Sequence, residues 1–360
     1  MSTLNSISHS TYAIVEPDND TWDAFTQQHP QGHLLQSSGW GELKRQFGWR
    51  RRRIAVAGPD GLVAGAQMLL RRRFRLTATY VPRGPLLSGI EEVDQLLLAA
   101  MHRTAHRVGS VFLRIEPNIL EQDPQADHLH SMLLRYNFHT AEPIQPHSSI
   151  HLDLTPDPIE LLSKIRKGHR ADIRRASREN VDVQVETQTS TLDSFYTILD
   201  STRVRARFDI HSYAYYQTAW NLFSPDSACL LVAQRNDEPE ATAMVLAWAG
   251  TALYLYSGST EEGLRNGAQH AIQWRAFQWA RQKGCKTYDF WGIPDTLGQA
   301  ATVDDEQERE QLAESARNDP LYGVYRFKKG FGGDIVRYLP AYDRVYMPTI
   351  YAIWLRRGTF

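Results

Sequence analysis

The sequence predicts an α/β protein built from two similar halves, each with a mixed β-sheet flanked by helices. Strand-like segments follow one another in the same order in both halves. In each half, a helix that ends at a glycine precedes the last strand. The spacing indicates a duplication, because Ala57 and Ala233 are 176 positions apart while Gly109 and Gly284 are 175 apart. A register that holds over three strands and a helix points to one repeated unit.

The first half begins with a helical region at 21–25 and continues with four strand-like segments. These segments are rich in apolar and β-branched residues and polar turns separate them; they span 53–57, 63–68, 78–81 and 111–115. The helix before the fourth strand has one apolar face, formed at three- and four-residue steps by Val93, Leu96, Leu97, Ala100 and Met101. This half therefore contains the elements of one complete sheet domain.

The second half repeats this order, beginning with a helical region at 191–195. Its four strand-like segments span 229–233, 241–245, 252–256 and 287–290. Its second helix carries an apolar stripe made of Ala271, Trp274, Phe277 and Trp279. Aromatic residues at helical spacing are typical of a buried face, so we assign them to the core rather than to a cofactor.

The order helix, β-meander, helix, strand is that of an acetyltransferase-like (GNAT) domain. We therefore predict tandem GNAT-like domains over residues 1–150 and 151–360. A chain of 360 residues is long enough to hold two separate cores. An acidic insertion at 304–314 favours a solvated helix, which is either a passive surface excursion or a lid over the substrate.

Composition narrows the class of protein. With 42% hydrophobic and 22% charged residues the chain is typical of soluble globular proteins, and no apolar run approaches the ~20 residues that span a bilayer. The net charge of -1 means that any affinity for nucleic acid depends on local clusters. Two distant cysteines, Cys229 and Cys285, indicate buried reduced thiols. Since no signal peptide is recognised either, we expect a cytoplasmic monomer.

Four motifs follow one another along the chain, at 167–181, 254–260, 288–293 and 323–333. The last motif interleaves aromatic and basic residues and ends in glycines. Alternation in a strand would place Tyr325, Phe327 and Lys329 on one face. The segment then suits either an edge strand protected by lysines or a cation presented to an anionic substrate beside a ring.

Together these motifs resemble the Fem family (FemXAB) of aminoacyl-tRNA-dependent transferases, over about residues 39–346. The resemblance implies transfer of an amino acid from aminoacyl-tRNA to the stem peptide of a peptidoglycan precursor, either UDP-MurNAc-pentapeptide or lipid II. It implies no cofactor, and we expect no metal. A GNAT-type acyl-CoA-dependent N-acyltransferase in exopolysaccharide or other amide synthesis is the alternative. A non-catalytic polyanion-binding protein is the third possibility.

The resemblance also implies a site for the precursor. Lys44, in Trp40-Gly-Glu-Leu-Lys44, matches a lysine that meets the nucleotide pyrophosphate. Tyr256 matches a tyrosine that hydrogen-bonds the precursor, although it also suits a strand in the core. Phe327 and Lys328 match a pair near the acceptor. We expect Lys328 to be the catalytic residue, which neutralises a peptide carboxylate or stabilises the developing oxyanion.

One matching position departs from the family. His211 and Tyr215 match a basic residue followed four positions later by a tyrosine, but arginine is usual where His211 stands. Histidine is only partly charged at neutral pH, so affinity for phosphate would be weaker here. Arg205 or Arg207, just upstream, could compensate.

Basic residues on a predicted linking helix form a candidate contact for tRNA or another polyanion. They share one helix face because they recur at three- and four-residue steps: Lys167, Arg170, Arg174 and Arg178. The alternative is a solvated helix surface. Further cations occur in the first half, at 44–45, 50–53, 71–73 and Arg75.

The general base is not evident from the sequence. Glu116 and Asp289 each follow or end a predicted strand, and both are better explained as structural or positioning residues. A coenzyme A site is also poorly supported. The helix start at 264–268 lacks a correctly placed arginine, and the acidic run at 91–94 would repel a pyrophosphate. The tail at 350–357 is a candidate for peripheral membrane contact, or else docks on the sheet.

Overall fold

A computed structural model of the chain describes residues 11–73, 76–186, 191–206 and 208–356. Arg75 and Arg207, named above, lie outside the described residues. The strands are β1 Ala13–Val15, β2 Trp49–Gly58, β3 Gly61–Arg73, β4 Leu76–Val81, β5 Ser110–Ile115, β6 His139–Ala141, β7 Ser148–Asp153, β8 Asp182–Glu186, β9 Ala228–Arg235, β10 Glu238–Trp248, β11 Thr251–Ser259, β12 Thr287–Asp289, β13 Asp334–Arg337 and β14 Ala341–Val345.

The helices are interspersed among these strands, singly or in groups. They are α1 Asn19–Gln28, α2 Ser38–Gln46, α3 Glu91–Arg107, α4 Ala126–Arg135, α5 Pro158–Lys164, α6 Lys167–Arg178, α7 Thr191–Ala206, α8 Tyr213–Phe223, α9 Glu261–Arg265, α10 Ala268–Gln282, α11 Asp295–Thr302, α12 Glu306–Ser315, α13 Tyr322–Lys329 and α14 Pro348–Arg356. No helix in the described ranges is both long and apolar enough to cross a membrane.

The first sheet has the strand order β1-β2-β3-β4-β5-β14-β6. Strands β2, β3 and β4 form an antiparallel meander, and β4 pairs with β5 in parallel. A parallel pair needs a long crossover, and α3 provides it. The last strand, β14, pairs antiparallel with both β5 and β6.

The second sheet repeats this plan with the order β13-β7-β12-β11-β10-β9-β8. Strands β9, β10 and β11 form the meander, β11 pairs with β12 in parallel, and α10 is the crossover helix. Strand β7 lies antiparallel between β12 and β13. The aromatic stripe of α10 packs in the core, as predicted: Phe277 is fully buried and Trp279 is 6% exposed. Two mixed sheets flanked by helices confirm the predicted fold class.

The chain divides into two compact units that are not contiguous in sequence. The first comprises Met1–Ile119, Pro124–Glu142 and Pro340–Phe360, and the second comprises Leu120–Asp123 and Pro143–Leu339. The predicted boundary at residue 150 placed everything after it in the second half. Residues 340–360 instead belong to the first unit. Strand β14 completes the first sheet. Helix α14 covers Ala78, Val111 and Phe112 with its side chains Ile350, Tyr351 and Trp354.

One predicted element is wrong. The segment 323–333 is not a strand, because Tyr322–Lys329 forms helix α13. Tyr322, Tyr325, Lys328 and Phe331 recur every three residues, which is close to the helical repeat. Of these, Lys328 and Phe331 are buried and the two tyrosines pack against the core. The two-residue alternation of aromatic and basic residues hid this spacing.

Two other predictions are confirmed. The acidic insertion forms the solvated helix α12, in which no residue is buried. Cys229 and Cys285 are free and buried, and burial raises the pKa of both thiols. Neither cysteine is therefore poised as a nucleophile.

Candidate functional site

Lys328 is a buried cation whose ammonium group is held by backbone carbonyls. It lies in the last turn of α13 and is 6% exposed. Its Nζ donates hydrogen bonds to the carbonyl oxygens of Trp291, at 3.0 Å, and Gly292, at 2.7 Å. Burial lowers the pKa of Lys328 to about 7, although the negative charge of Asp289 opposes this shift. An ammonium group has three N–H donors, so one remains for a substrate oxygen.

The turn that holds Lys328 is strained. Trp291 follows β12 and has φ +63°, in the left-handed region that residues with a side chain rarely adopt. Such a conformation costs about 1–3 kcal/mol and persists only when its surroundings fix it. Here the Trp291 amide donates to Asp289 Oδ1 at 2.7 Å, while the Trp291 carbonyl accepts from Lys328. The turn is thus fixed from both sides.

Asp289 is the centre of a polar network beneath this turn. It is 1% exposed and accepts a short hydrogen bond from the Ser149 hydroxyl. His151 Nε2 lies 3.5 Å from Asp289 Oδ2 and 3.0 Å from the Tyr338 hydroxyl, which is itself 3.4 Å from the same carboxylate oxygen. Burial alone would raise the pKa of Asp289, but the charge and hydrogen bond of His151, with the bonds from Ser149 and Trp291, hold it below its ordinary value.

The structure shows the surroundings of both carboxylates that were considered as general bases. Asp289 is an ionised, fully engaged carboxylate, which suits a positioning residue better than a proton acceptor. Glu116 lies in the first unit, is 3% exposed, and accepts a hydrogen bond from the Tyr80 hydroxyl at 2.9 Å. Sequence reasoning missed His151, Ser149 and Tyr338. The alternation of Ser149 and His151 along β7 was the one available signal.

The structure brings together three of the residues that the family resemblance assigned to precursor binding. The His211 ring stacks on Tyr215 with centroids 3.8 Å apart. Tyr215 is 3% exposed and its hydroxyl hydrogen-bonds that of Tyr256. The Tyr216 ring lies edge-on to Tyr256 at 5.0 Å, and its hydroxyl accepts from the His211 amide at 3.2 Å. Burial raises the pKa of Tyr256 well above its ordinary value, so these hydroxyls stay neutral donors.

Arg205, one of the two arginines that could compensate at His211, is bonded to the backbone of the second unit. Its guanidinium donates to the Ser259 carbonyl at 2.7 Å, which ties α7 to the end of β11. The Arg205 guanidinium therefore has a structural contact within the second unit. The cluster of His211, Tyr215 and Tyr256 is better suited to uncharged hydrogen-bond acceptors than to a pyrophosphate.

Phe327 is half-buried and packs against the core of the second unit. Its ring centroid lies 5.9 Å from that of His169, 5.1 Å from that of His270 and 5.2 Å from that of Phe331. The Phe327 carbonyl accepts a hydrogen bond from His169 Nε2 at 2.9 Å. A Cβ at Gly330 would lie 2.1 Å from the same His169 atom, so only glycine permits this contact between α6 and α13.

His169, Asp172 and His270 form the one described group that offers three ligand atoms for a metal, all within 4.8 Å of one another. His169 Nε2 is engaged by the Phe327 carbonyl, and His270 Nε2 lies 3.6 Å from Asp172 Oδ2. Burial, followed by the charge of His169, lowers the pKa of His270 to about 4. The cluster therefore joins α6 to α10 with a neutral His270 at neutral pH.

The predicted linking helix exists as α6, but its four basic residues differ in their surroundings. Arg170 donates to the carbonyls of Ser163, at 2.6 Å, and Ile165, at 2.8 Å, and so satisfies the end of α5. Lys167, Arg174 and Arg178 are exposed and have no ion pair with any described residue. Three cations remain available to a polyanion on this helix.

Lys44 lies in the first unit, whereas the other predicted precursor residues lie in the second. It occupies the last turn of α2, with Nζ 4.8 Å from the centroid of the Trp40 ring. Burial, followed by the charge of Arg71, lowers the pKa of Lys44 to about 8. A partly buried cation over an aromatic face is suited to an anionic group.

These features define the class of protein. The chain has two sheets of the acetyltransferase type, and a solved tandem GNAT protein from the clavulanic acid biosynthesis pathway shares this fold, with a TM-score of 0.53 over 92% of this chain and 98% of that one, at 10% identity. A crystal structure of FemX is more similar, with a TM-score of 0.82 over 95% of this chain and 99% of that one, at 20% identity.

The family is shown by sequence. The model of the FemAB family matches residues 18–239 and 234–354, so the chain belongs to the FemAB family. It is 25% identical to the UDP-N-acetylmuramoylpentapeptide-lysine N(6)-alanyltransferase of Weissella viridescens, over 92% of this chain and 95% of that one. It is 23% identical to the lipid II:glycine glycyltransferase of Staphylococcus saprophyticus, over 92% of each chain.

Proposed function

We propose that the protein is an aminoacyltransferase that moves an amino acid from aminoacyl-tRNA to the stem peptide of a peptidoglycan precursor, either UDP-MurNAc-pentapeptide or lipid II. Relatives that match nearly the whole chain carry the names of transferases acting on such precursors. Lys328, buried over the strained turn at Trp291, is the observation that carries the chemistry. Because aminoacyl-tRNA is a cytoplasmic donor, we place the reaction in the cytoplasm.

The reaction is aminolysis of an ester. The acceptor amine forms a bond to the aminoacyl carbonyl carbon, and the ester C–O bond to the ribose breaks. The amine loses one proton and the released ribose hydroxyl gains one, so no oxidant, reductant or cofactor is needed. The ester is already activated, so the protein mainly aligns the two substrates and stabilises the oxyanion.

Lys328 would stabilise that oxyanion with its remaining N–H. A donor fixed in a dry site contributes more than one in water, because it needs no reorganisation when charge develops. Asp289 holds the turn that aims the ammonium group and keeps a negative charge nearby. Asp289 is therefore a positioning residue in this mechanism, and Lys328 the catalytic one.

Two observations favour tRNA over coenzyme A as the donor. Ordinary acetyltransferases place the coenzyme A pyrophosphate at a helix start after the meander, but α9 begins with Glu261 and Glu262, which would repel phosphates. The start of α10 is covered by α6, since a Cβ at Gly267 would lie 2.3 Å from the Asp172 carbonyl oxygen.

The test is incubation with a mixture of charged tRNAs and UDP-MurNAc-pentapeptide, followed by mass spectrometry of the precursor. We expect a product heavier by one amino acid residue, and we expect ribonuclease pretreatment to abolish it. In parallel, lipid II replaces the soluble precursor. Transfer that survives ribonuclease and requires an acyl-CoA thioester would establish the acyl-CoA-dependent N-acyltransferase instead.

A further inference from the structure

The first unit contains an arginine-lined groove along an open strand edge. Strand β1 pairs only with residues 55–57 of β2, so the preceding residues of β2 have no described neighbour on that side. A cavity of 1160 Å³ lies along this edge, and its lining includes six arginines: Arg45, Arg50, Arg51, Arg52, Arg53 and Arg72. The acids in the lining are Glu16, Asp18 and Asp20. The groove thus has twice as many cations as anions.

A second, smaller cavity extends the groove across the face covered by α3. Its volume is 380 Å³, and it shares Glu16, Arg52, Arg53 and Val108 with the first. It adds Arg103 and Arg107 from α3 without adding another acid. The combined surface therefore carries eight arginines, from β2, β3, α2 and α3, and three acids from the start of α1 and the segment before it.

The available charge is concentrated in a subset of these arginines. Arg45 and Arg51 pair with Glu42, at 2.7 and 3.6 Å, and Arg52 pairs with Glu16 at 3.4 Å. Arg53 is buried and bonds to Gln67 and Asn19. The other four arginines are exposed and have no ion pair with any described residue: Arg50, Arg72, Arg103 and Arg107. Protection of an open strand edge explains charges on β2. It does not explain unpaired arginines that converge from β3 and α3.

The chemistry of the groove identifies its ligand as a chain of phosphodiesters. Arginine binds phosphate through two parallel N–H donors, and residues two apart on a strand present such groups about 6.6 Å apart. A groove open along its length suits a long anion better than a single phosphate. Membrane binding would need a set of large exposed apolar side chains that insert among lipids, whereas Ile14 and Val108, at 39% and 38% exposure, are the only two in the described lining.

We propose that this arginine groove binds the sugar–phosphate backbone of an RNA. That the RNA is the tRNA donor rests on the proposed function. Direct contacts to phosphates give strong dependence on salt and little dependence on sequence. The groove thus supplies affinity for the donor as a whole, and Lys328 acts on its ester.

The experiment measures binding of a fluorescent, deacylated tRNA to the full chain by anisotropy, at several salt concentrations. Arg50→Glu/Arg72→Glu should weaken binding at least tenfold at low salt. It should also reduce the slope of log affinity against log salt by about 2, because each lost phosphate contact contributes about 0.9. The control is Arg135→Glu/Arg317→Glu, which makes the same charge change at exposed, ion-paired arginines outside the groove and should leave the slope nearly unchanged.

A second arm uses phosphatidylglycerol vesicles. The groove variant and the control variant should bind them equally, because both carry the same change of charge. If the groove variant loses vesicle binding but keeps its affinity for tRNA, the surface binds lipid and the proposal is wrong. Equal tRNA affinity in the groove variant and the control variant would identify a solvated strand edge and overturn it as well.

A third arm separates this proposal from the proposed function. Transfer is measured from full aminoacyl-tRNA and from an aminoacylated CCA trinucleotide, which is too short to reach beyond the ester site. The groove variant should lose activity only with the full tRNA. Absence of transfer from every donor in the wild type would refute the proposed function, while the binding arms would still decide the groove. Equal loss with both donors would show that the substitutions do not act through contacts to the RNA backbone, and would overturn the proposal.

Discussion

Replacing Lys328 with methionine should expose the cost of burying its charge. The folded-state pKa of Lys328 is about 7, below the ordinary value of 10.5, because the ammonium is desolvated. Between these two values the unfolded chain binds more protons than the folded one, so wild-type stability should rise with pH. Below pH 7 both states are protonated, and this contribution is constant.

The magnitude follows from the linkage relation. One pKa unit corresponds to about 1.36 kcal/mol, and the folded lysine is about half protonated at pH 7. From pH 7 to pH 9 the wild type should therefore gain about 2 kcal/mol relative to Lys328→Met, which has no titrating group at this position. Methionine keeps most of the packing volume but leaves the carbonyls of Trp291 and Gly292 without this donor, which costs about 1–3 kcal/mol for each at any pH.

Denaturant unfolding of both proteins at pH 7, 8 and 9 measures the difference, and subtraction removes titrations that they share. Lys328→Arg is the control, because arginine stays charged over this range and should show no such rise. Transfer should fall by about 10²-fold or more in Lys328→Met, as for other lost oxyanion donors. A stability difference that stays flat from pH 7 to pH 9 would refute the inference that the ammonium is desolvated.

Three further predictions concern Asp289, Gly330 and the basic face of α6. Asp289→Asn removes a charge that raises the pKa of Lys328. The alkaline limb of the pH–rate profile should therefore move to lower pH. An unmoved limb would exclude an effect of the Asp289 charge on Lys328. Gly330→Ala places a Cβ against His169 and should destabilise the fold by about 1–3 kcal/mol in chemical unfolding. Gly323→Ala, which meets no atom within 4 Å, is its control and should be neutral or gain about 0.5–1 kcal/mol. Arg174→Glu/Arg178→Glu should raise the KM for aminoacyl-tRNA roughly tenfold at low salt and less at high salt, with the KM for the precursor unchanged; equal KM values at both salts would make α6 a solvated surface.

Much of the fold could be predicted because its signals are local and repeated. Each meander has short apolar strands separated by polar turns, and the two glycines that end α3 and α10 recur at the same spacing. The helix α13 was missed because two periods coexist in one segment, and the weaker three-residue period is the one that the core selects. Nothing local indicates that β14 completes the first sheet, since its partner β5 lies more than 200 residues earlier.

In the candidate site too, some residues could be predicted from local sequence patterns and others could not. Lys328, Tyr256 and Tyr215 could be named from motifs, because each lies within a characteristic local pattern. The network around Asp289 could not, since the bond from Ser149 to Asp289 joins residues 140 positions apart. The left-handed conformation of Trp291 is fixed by a local bond to Asp289 and by a distant bond from Lys328, 37 positions later. The motifs thus name the cation, while tertiary structure decides how it is held.

The position of β14 has a consequence for synthesis on the ribosome. The interior of the first sheet, between β5 and β6, remains unfilled until residues 341–345 have been made. The second unit, apart from a short segment at 120–123, is one continuous stretch and can close its sheet earlier. At roughly 5–20 residues per second, the first unit waits roughly 10–40 s after β6 for its missing strand. The amino-terminal half of the chain, although translated first, is therefore the last to become a finished sheet.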